Sequence, residues 1–154
     1  MLYRLGIISD THGLLRPQAL AALRGCERIL HAGDVGKPEV LHALNELAPV
    51  TAVRRNNDNG VWADELPACA RVEAGQVGIY LLHDLAELDI DPTRTGIRIV
   101  ICGHSHKPSF SERDGVLYLN PGSAGPRRFK LPVAVAELTI GAAAVQARII
   151  PLAV

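Results

Sequence analysis

Within the first 53 residues, three short apolar runs alternate with two stretches that open on proline and carry apolar residues at helical spacing. Residues 5–9 form the first run, closed by Asp10-Thr11-His12-Gly13. Pro17 then starts a helix through Leu20 and Leu23, with Gly25 just past its end, the placement these two residues favour. Residues 28–32 read as a second strand delivering Gly33-Asp34, and Pro38 opens a second helix through Val40, Leu41, Leu44 and Leu47 that Pro49 stops. Residues 50–53 make a third strand ending at Arg54-Arg55-Asn56-Asn57-Asp58. The order β-α-β-α-β demands a parallel sheet with right-handed crossovers.

After a turn-rich stretch containing Gly60 and Pro67, the pattern changes to hairpins. Residues 70–73 and 77–82 are joined by Ala74-Gly75-Gln76, and the second run delivers His83. Residues 84–96 form an acidic, proline-containing connection with a helical turn expected after Pro92. Residues 97–102 deliver Gly103-His104-Ser105-His106, and two further pairs follow, 109–113 with 116–120 and 133–140 with 144–150, each closed by a glycine-containing turn. The expected architecture is α/β, two packed sheets flanked by helices, with residues 1–154 as one domain.

Composition narrows the function. A chain of 154 residues buries about two thirds of its unfolded surface, so its core needs no metal or disulfide to form. Its 16 Lys+Arg balance 16 Asp+Glu, which argues against general nucleic-acid binding. No apolar run approaches the ~20 residues that span a bilayer, and the first ten residues lack a signal-peptide pattern, so a cytoplasmic, non-membrane protein is expected. Cys26, Cys69 and Cys102 lack metal-ligand or disulfide spacing and read as reduced thiols. Self-association into a homo-oligomer stays open.

The strand-terminating residues carry the chemistry: Asp10 and His12, Asp34, Asn56, His83, then His104 and His106. Side chains at the carboxyl ends of neighbouring strands converge in the crevice above a sheet. Oxygen and nitrogen donors without thiolate suit manganese, iron, zinc, cobalt or nickel rather than an iron–sulfur cluster. Seven such donors exceed one tetrahedral ion but fit two ions sharing a carboxylate.

The ordered series Ser9-Asp10-Thr11-His12, Gly33-Asp34, Asn56-Asn57-Asp58, His83, Gly103-His104-Ser105-His106 and Asn120-Pro121-Gly122-Ser123 resembles the calcineurin-like metallophosphoesterase superfamily, in particular its small single-domain bacterial and archaeal phosphodiesterases. The resemblance implies a four-layer α-β-β-α sandwich of two mixed sheets. It implies that Asp10, His12 and His106 hold one divalent ion, that Asn56, His83 and His104 hold the other, and that Asp34 bridges them. Manganese is the first choice of ion. It also implies a phosphoesterase acting on a small-molecule phosphate ester, most simply a diester, by attack of a metal-bridging hydroxide between ions about 3.5–4 Å apart. Asp34, His104 and Asn56 would then serve catalysis through the metals. Some members of the superfamily serve instead as non-catalytic protein-interaction scaffolds, in which the ligands have decayed.

Two departures stand out. Arg55 occupies the position before the ligand asparagine where the family usually has glycine, so it is either strained or an added cation beside the substrate. Asn57 replaces the histidine that supplies a leaving-group acid in the phosphoprotein phosphatases, as is common in the small phosphodiesterases. Arg127 and Arg128 are further candidate phosphate contacts, against the alternative of a solvated pair. His31 and His42 read as hydrogen-bonded core histidines. Asp84, Glu87, Asp89 and Asp91 read as a hydrated loop. The segment from Gly33 to Pro38 fails as a phosphate loop, because His31 and Pro38 stand where glycine and a hydroxyl residue would be needed.

Overall fold

The computed structural model describes residues 2–55, 58–142 and 144–154. Three parallel strands, β1 (Tyr3–Ile8), β2 (Arg28–His31) and β3 (Val50–Ala52), are joined by α1 (Pro17–Leu23) and α2 (Pro38–Asn45). A one-turn helix, α3 (Val61–Asp64), follows β3. Then come β4 (Cys69–Ala74), β5 (Val77–Leu82), β6 (Ile97–Ile101), β7 (Ser109–Arg113), β8 (Val116–Asn120), β9 (Ala134–Ile140) and β10 (Val145–Pro151). They build two mixed five-stranded sheets, ordered β10-β9-β1-β2-β3 and β4-β5-β6-β8-β7. In the first sheet β9 runs antiparallel to β1. In the second, β5, β6 and β8 are parallel while β4 and β7 pair antiparallel at the edges.

The side-chain period of two on β1 sorts the layers. Leu5 and Ile7 join Leu30, Ile79, Leu81, Ile99, Ile101 and Leu119 in a buried core between the sheets. Ile8 faces the other way, packing with Ile29 and Val135 beneath Ala19 and Leu23 of α1 and Val40 and Leu44 of α2. Each helix thus buries residues four apart, one stripe of its surface. The outer face of the second sheet, with Leu82, Val100 and Val116, is covered by Leu85, Leu88 and Ile90. The α-β-β-α layering is therefore thin on this side, where the described elements include only a 3₁₀ turn, Leu85–Glu87. The Asp84 side chain accepts a hydrogen bond from the Ala86 amide and starts that turn, and a further turn spans residues 92–96.

An ion pair fastens the central strands. Arg4 Nε donates to Glu137 Oε2 at 2.7 Å, and Arg4 Nη1 donates to the Arg24 carbonyl at 2.8 Å, tying β1 to β9 and to the end of α1. The Arg4 hydrogen bond holds the Glu137 carboxyl below its usual value. A depressed carboxyl adds stability above its unfolded value, and that stability is lost as pH falls through the folded value. Glu137→Gln is expected to lower unfolding free energy by about 1 kcal/mol near neutrality, given the exposure of Arg4. In urea melts of both proteins, that difference should shrink as pH drops below 4.5, the unfolded glutamate value.

Candidate metal centre

The parallel pairs β1/β2 and β5/β6 lie inside their respective sheets, and the loops leaving their carboxyl ends meet. The Asp10 amide donates to Gly33 O at 3.0 Å, the His12 amide to Asp34 O at 2.8 Å and the Gly13 amide to Val35 O at 2.8 Å, continuing the β1/β2 pairing beyond the strands. In the second sheet the Gly103 amide donates to His83 O at 2.9 Å. The His104 amide donates across to Asp10 Oδ2 at 3.2 Å, joining the two sheets at the site.

Eight described residues other than glycine have positive φ, and five of them are here: Asp10 (57°), His12 (46°), Asp34 (55°), His104 (74°) and His106 (63°). The left-handed region is uncommon for side-chain-bearing residues, and clusters of such strain mark functional sites. Two glycines make room for these turns. A Cβ on Gly103 would collide with Ser9 Oγ and come within 2.7 Å of Asp10 Oδ2. One on Gly36, at φ +91°, would strike the backbone of His12 and Gly13.

Asp10 Oδ1 sits 3.3 Å from His106 Nε2 and 3.7 Å from both His12 Nε2 and His83 Nε2. Asp34 Oδ2 lies 3.1 Å from His83 Nε2 and 3.6 Å from His12 Nε2. The imidazoles stand in pairs, His12 with His106 and His83 with His104, each with ring centroids 5.4 Å apart. Donor atoms of Asp10, His12 and His106 all fall within 4.8 Å of one another, as do those of Asp10, Asp34 and His83. Asp10, Asp34, His83 and His106 are buried, yet Asp10 Oδ1, Asp34 Oδ1, His83 Nε2 and His106 Nδ1 have no hydrogen-bond partner among the described residues. Leaving one such atom unpaired costs about 1–3 kcal/mol, and four together at the meeting point of the sheets fit a cationic occupant.

The surroundings hold the donors ready. Ser9 Oγ donates to Asp10 Oδ2 at 2.8 Å, leaving Oδ1 for the site. His83 Nδ1 lies 2.7 Å from the Ala32 carbonyl, so it carries a proton and turns Nε2 inward. Burial pushes both aspartates upward, but the neighbouring histidines overcome it and hold each carboxyl below its usual range, Asp10 chiefly through His12 and Asp34 chiefly through His83. The pair with Asp10 raises His12, whereas burial together with the Arg128 charge lowers His106.

A ring of buried polar residues supports these loops. His31 is a hydrogen-bonded core histidine, as expected: Nδ1 accepts from the Gly33 amide at 3.1 Å and Nε2 lies 3.0 Å from Thr11 Oγ1. Burial lowers it to about 4, so it is neutral. Thr11 Oγ1 in turn donates to Val35 O. Asp58 accepts from the amides of Gly36, Val35 and Arg55, which clamps the loop after β3 to the one bearing Asp34. Asn120 donates to Gly103 O and Ser105 Oγ, and Ser123 Oγ donates to Asp10 O, so this turn packs beneath the loops.

Other residues singled out in the sequence stand outside these two donor clusters. His104 is half exposed, and its Nε2 is 3.9 Å from Asp84 Oδ2. Arg55 Nη1 lies 3.5 Å from Glu87 Oε1 and 3.8 Å from Asp84 Oδ2, and Arg55 is not among the positive-φ residues, so its backbone carries no left-handed strain. Arg127 turns to the chain end, donating to Val154 O at 3.2 Å. Asn56 and Asn57 lie outside the described residues. His42 is exposed on α2 rather than a core histidine, because it stands off the Val40/Leu44 stripe. Asp84 and the clamp Asp58 were not evident as site residues. The signal for Asp58 lay in its place three residues after Arg55, the spacing of a turn carboxylate.

Two stacked mixed sheets with aspartate and histidine donors gathered at their strand ends define a candidate metal-binding class of site. The calcineurin-like phosphoesterase superfamily domain matches residues 3–142, and the chain belongs to this superfamily as a metallophosphoesterase. It is 36% identical over 131 residues to a probable metallophosphoesterase of Methanothermobacter thermautotrophicus, covering 77% of this chain and 76% of the relative. Among solved structures, an archaeal phosphodiesterase superposes with TM-score 0.78 at 24% identity, covering 96% of this chain and 99% of that one. Vps29 from Chaetomium thermophilum superposes with TM-score 0.79 at 16% identity, covering 97% and 99%. At those identities the two structural matches speak for the fold. No helix among the described residues is long and apolar enough to cross a membrane.

Proposed function

We propose that the protein is a phosphodiesterase dependent on two divalent ions, one held by Asp10, His12 and His106, the other by His83, His104 and Asn56, with Asp34 shared between them. The observation that carries this reading is the set of four buried donor atoms, on Asp10, Asp34, His83 and His106, that have no partner among the described residues. Nitrogen and oxygen donors suit manganese as the working ion, with iron, zinc, nickel and cobalt compatible. When bound, the ions supply positive charge to the phosphoryl oxygens and a nucleophile from water at neutral pH.

The chain's own groups orient and select. Ser9 and the His104 amide fix Asp10, and the Ala32 carbonyl fixes His83, so these donors need no rearrangement to act. Arg128, whose charge is felt at His106, is the arginine assigned to the substrate phosphate. The charge of Arg55 is engaged by Asp84 and Glu87. A diester fits the missing histidine after Asn56 and the named activity of the archaeal relative. With Cys26, Cys69 and Cys102 all unpaired, a reducing cytoplasmic compartment suits the enzyme.

Chelation tests the proposal. Protein stripped of metal should lose all hydrolysis of bis(p-nitrophenyl) phosphate while keeping its far-ultraviolet circular dichroism, and divalent manganese should restore turnover. Undiminished turnover after thorough chelation would remove the mechanism.

A further inference from the structure

Beside His104 a cleft of about 260 Å³ runs along the outer face of the second sheet. Its floor is Cys102 and Tyr118, and Leu85 forms one wall. Ser109, Ser111 and Arg113 line it from β7, at alternate positions and therefore on one face. Ser109 is registered with Asn120 at the His104 end, and Ser111 with Tyr118 further along. Arg113 is opposite Val116, diagonal to Tyr118, and its guanidinium carbon stacks 4.2 Å above the Tyr118 ring centroid. The stacking draws the cation back over a residue that stands two positions, about 7 Å of strand, from the Ser109–Asn120 pair.

No carboxylate among the described residues pairs with Arg113. Asp84, the acidic residue lining the cleft, is at the His104 end and faces Arg55. The cleft therefore presents an available cation at one end, the candidate metal ligand His104 at the other, and an apolar floor with two hydroxyls between them. A planar guanidinium held by an aromatic face is pre-organised for a phosphate. The volume falls below the ~300–1,000 Å³ of sites for drug-sized ligands, so it takes one ring-sized group and not a polymer.

We infer that this cleft is a specificity subsite in which Arg113, held over Tyr118, binds a second phosphate on one esterified group of the substrate. The favoured substrate class is a phosphodiester of a compact, ring-containing alcohol that is itself phosphorylated, as a phosphorylated nucleoside is. The inference rests on the phosphodiesterase reading for what occupies the His104 end, and Arg113 takes no part in the chemistry.

Calorimetric titration of the manganese-loaded full chain with thymidine 3′,5′-bisphosphate and with thymidine 3′-monophosphate tests it. The bisphosphate should bind the parent about tenfold more tightly than the monophosphate, as expected for one charge-assisted contact at a partly exposed site. Arg113→Gln should erase that advantage without changing monophosphate affinity, and Arg113→Lys should retain most of it. Equal affinities for the parent, or an advantage that survives Arg113→Gln, would overturn the inference. Turnover of bis(p-nitrophenyl) phosphate by the parent, measured alongside, reports on the phosphodiesterase reading by itself. Its absence in the parent would instead be a failure of the phosphodiesterase reading, with the binding comparison still deciding the subsite.

Discussion

Asp34→Ala is expected to reduce kcat/KM for an aryl phosphodiester by at least about 10³-fold and to release both ions. Removing a carboxylate shared by two ions would withdraw several kcal/mol of transition-state charge stabilisation, and each ~1.4 kcal/mol is tenfold in rate. Single replacements at His12 or His83 should release one ion and cost less. Asp34 Oδ2 lies 3.1 Å from His83 and 3.6 Å from His12, between members of the two histidine pairs. Asp10 supplies the necessary comparison, because its Oδ1 is within 3.7 Å of three histidines. Bound metal per chain, measured for Asp10→Ala and Asp34→Ala, distinguishes them. If Asp10→Ala loses both ions and Asp34→Ala only one, the shared carboxylate is Asp10.

The second large effect is a steep dependence on the leaving group. A departing alkoxide must be protonated or otherwise stabilised, and a positioned general acid contributes about 10²–10⁴-fold. The chain has Asn57 where some relatives of this superfamily carry a histidine, and an amide cannot give up its proton. Asp58 accepts three backbone amides, which ties the side chain to the loops. Aryl phosphodiesters should therefore be turned over well, and alkyl phosphomonoesters such as phosphoserine about 10²–10⁴-fold less well. A series of diesters with leaving groups of graded pKa, at fixed metal concentration, measures this. A flat dependence with chemistry rate-limiting would reveal a proton donor elsewhere in the site.

The strands were legible because each is a short apolar run ending in polar residues or glycine. The expected 109–113 and 116–120 coincide with β7 and β8, and the other strands differ by no more than two residues at either end. Strand order was not legible. That β8 lies between β6 and β7 depends on long-range pairing, which local pattern does not encode. Helix α3 has four residues, too few to show a helical period, and the cover over Val100 and Val116 comes from Leu85, Leu88 and Ile90 in an acidic loop. At the site, Asp10, His12, Asp34, His83 and His106 could be named because they end strands. Their left-handed turns could not, since aspartate and histidine adopt that conformation at only a minority of positions and no local pattern here marks which. Arg113 and Tyr118 were hidden for a related reason: only the hairpin register makes them diagonal neighbours.

One fold can carry unrelated functions, so architecture alone does not separate a hydrolase from a scaffold of the same shape. The donors do, and they can be counted. Metal-free protein titrated with divalent manganese, with bound ion per chain and bis(p-nitrophenyl) phosphate turnover recorded at each addition, tests the dinuclear phosphodiesterase most directly. Two ions should bind per chain, with turnover rising as the second site fills. Full turnover at one ion per chain, or two ions bound with no hydrolysis of any phosphate ester, would contradict it.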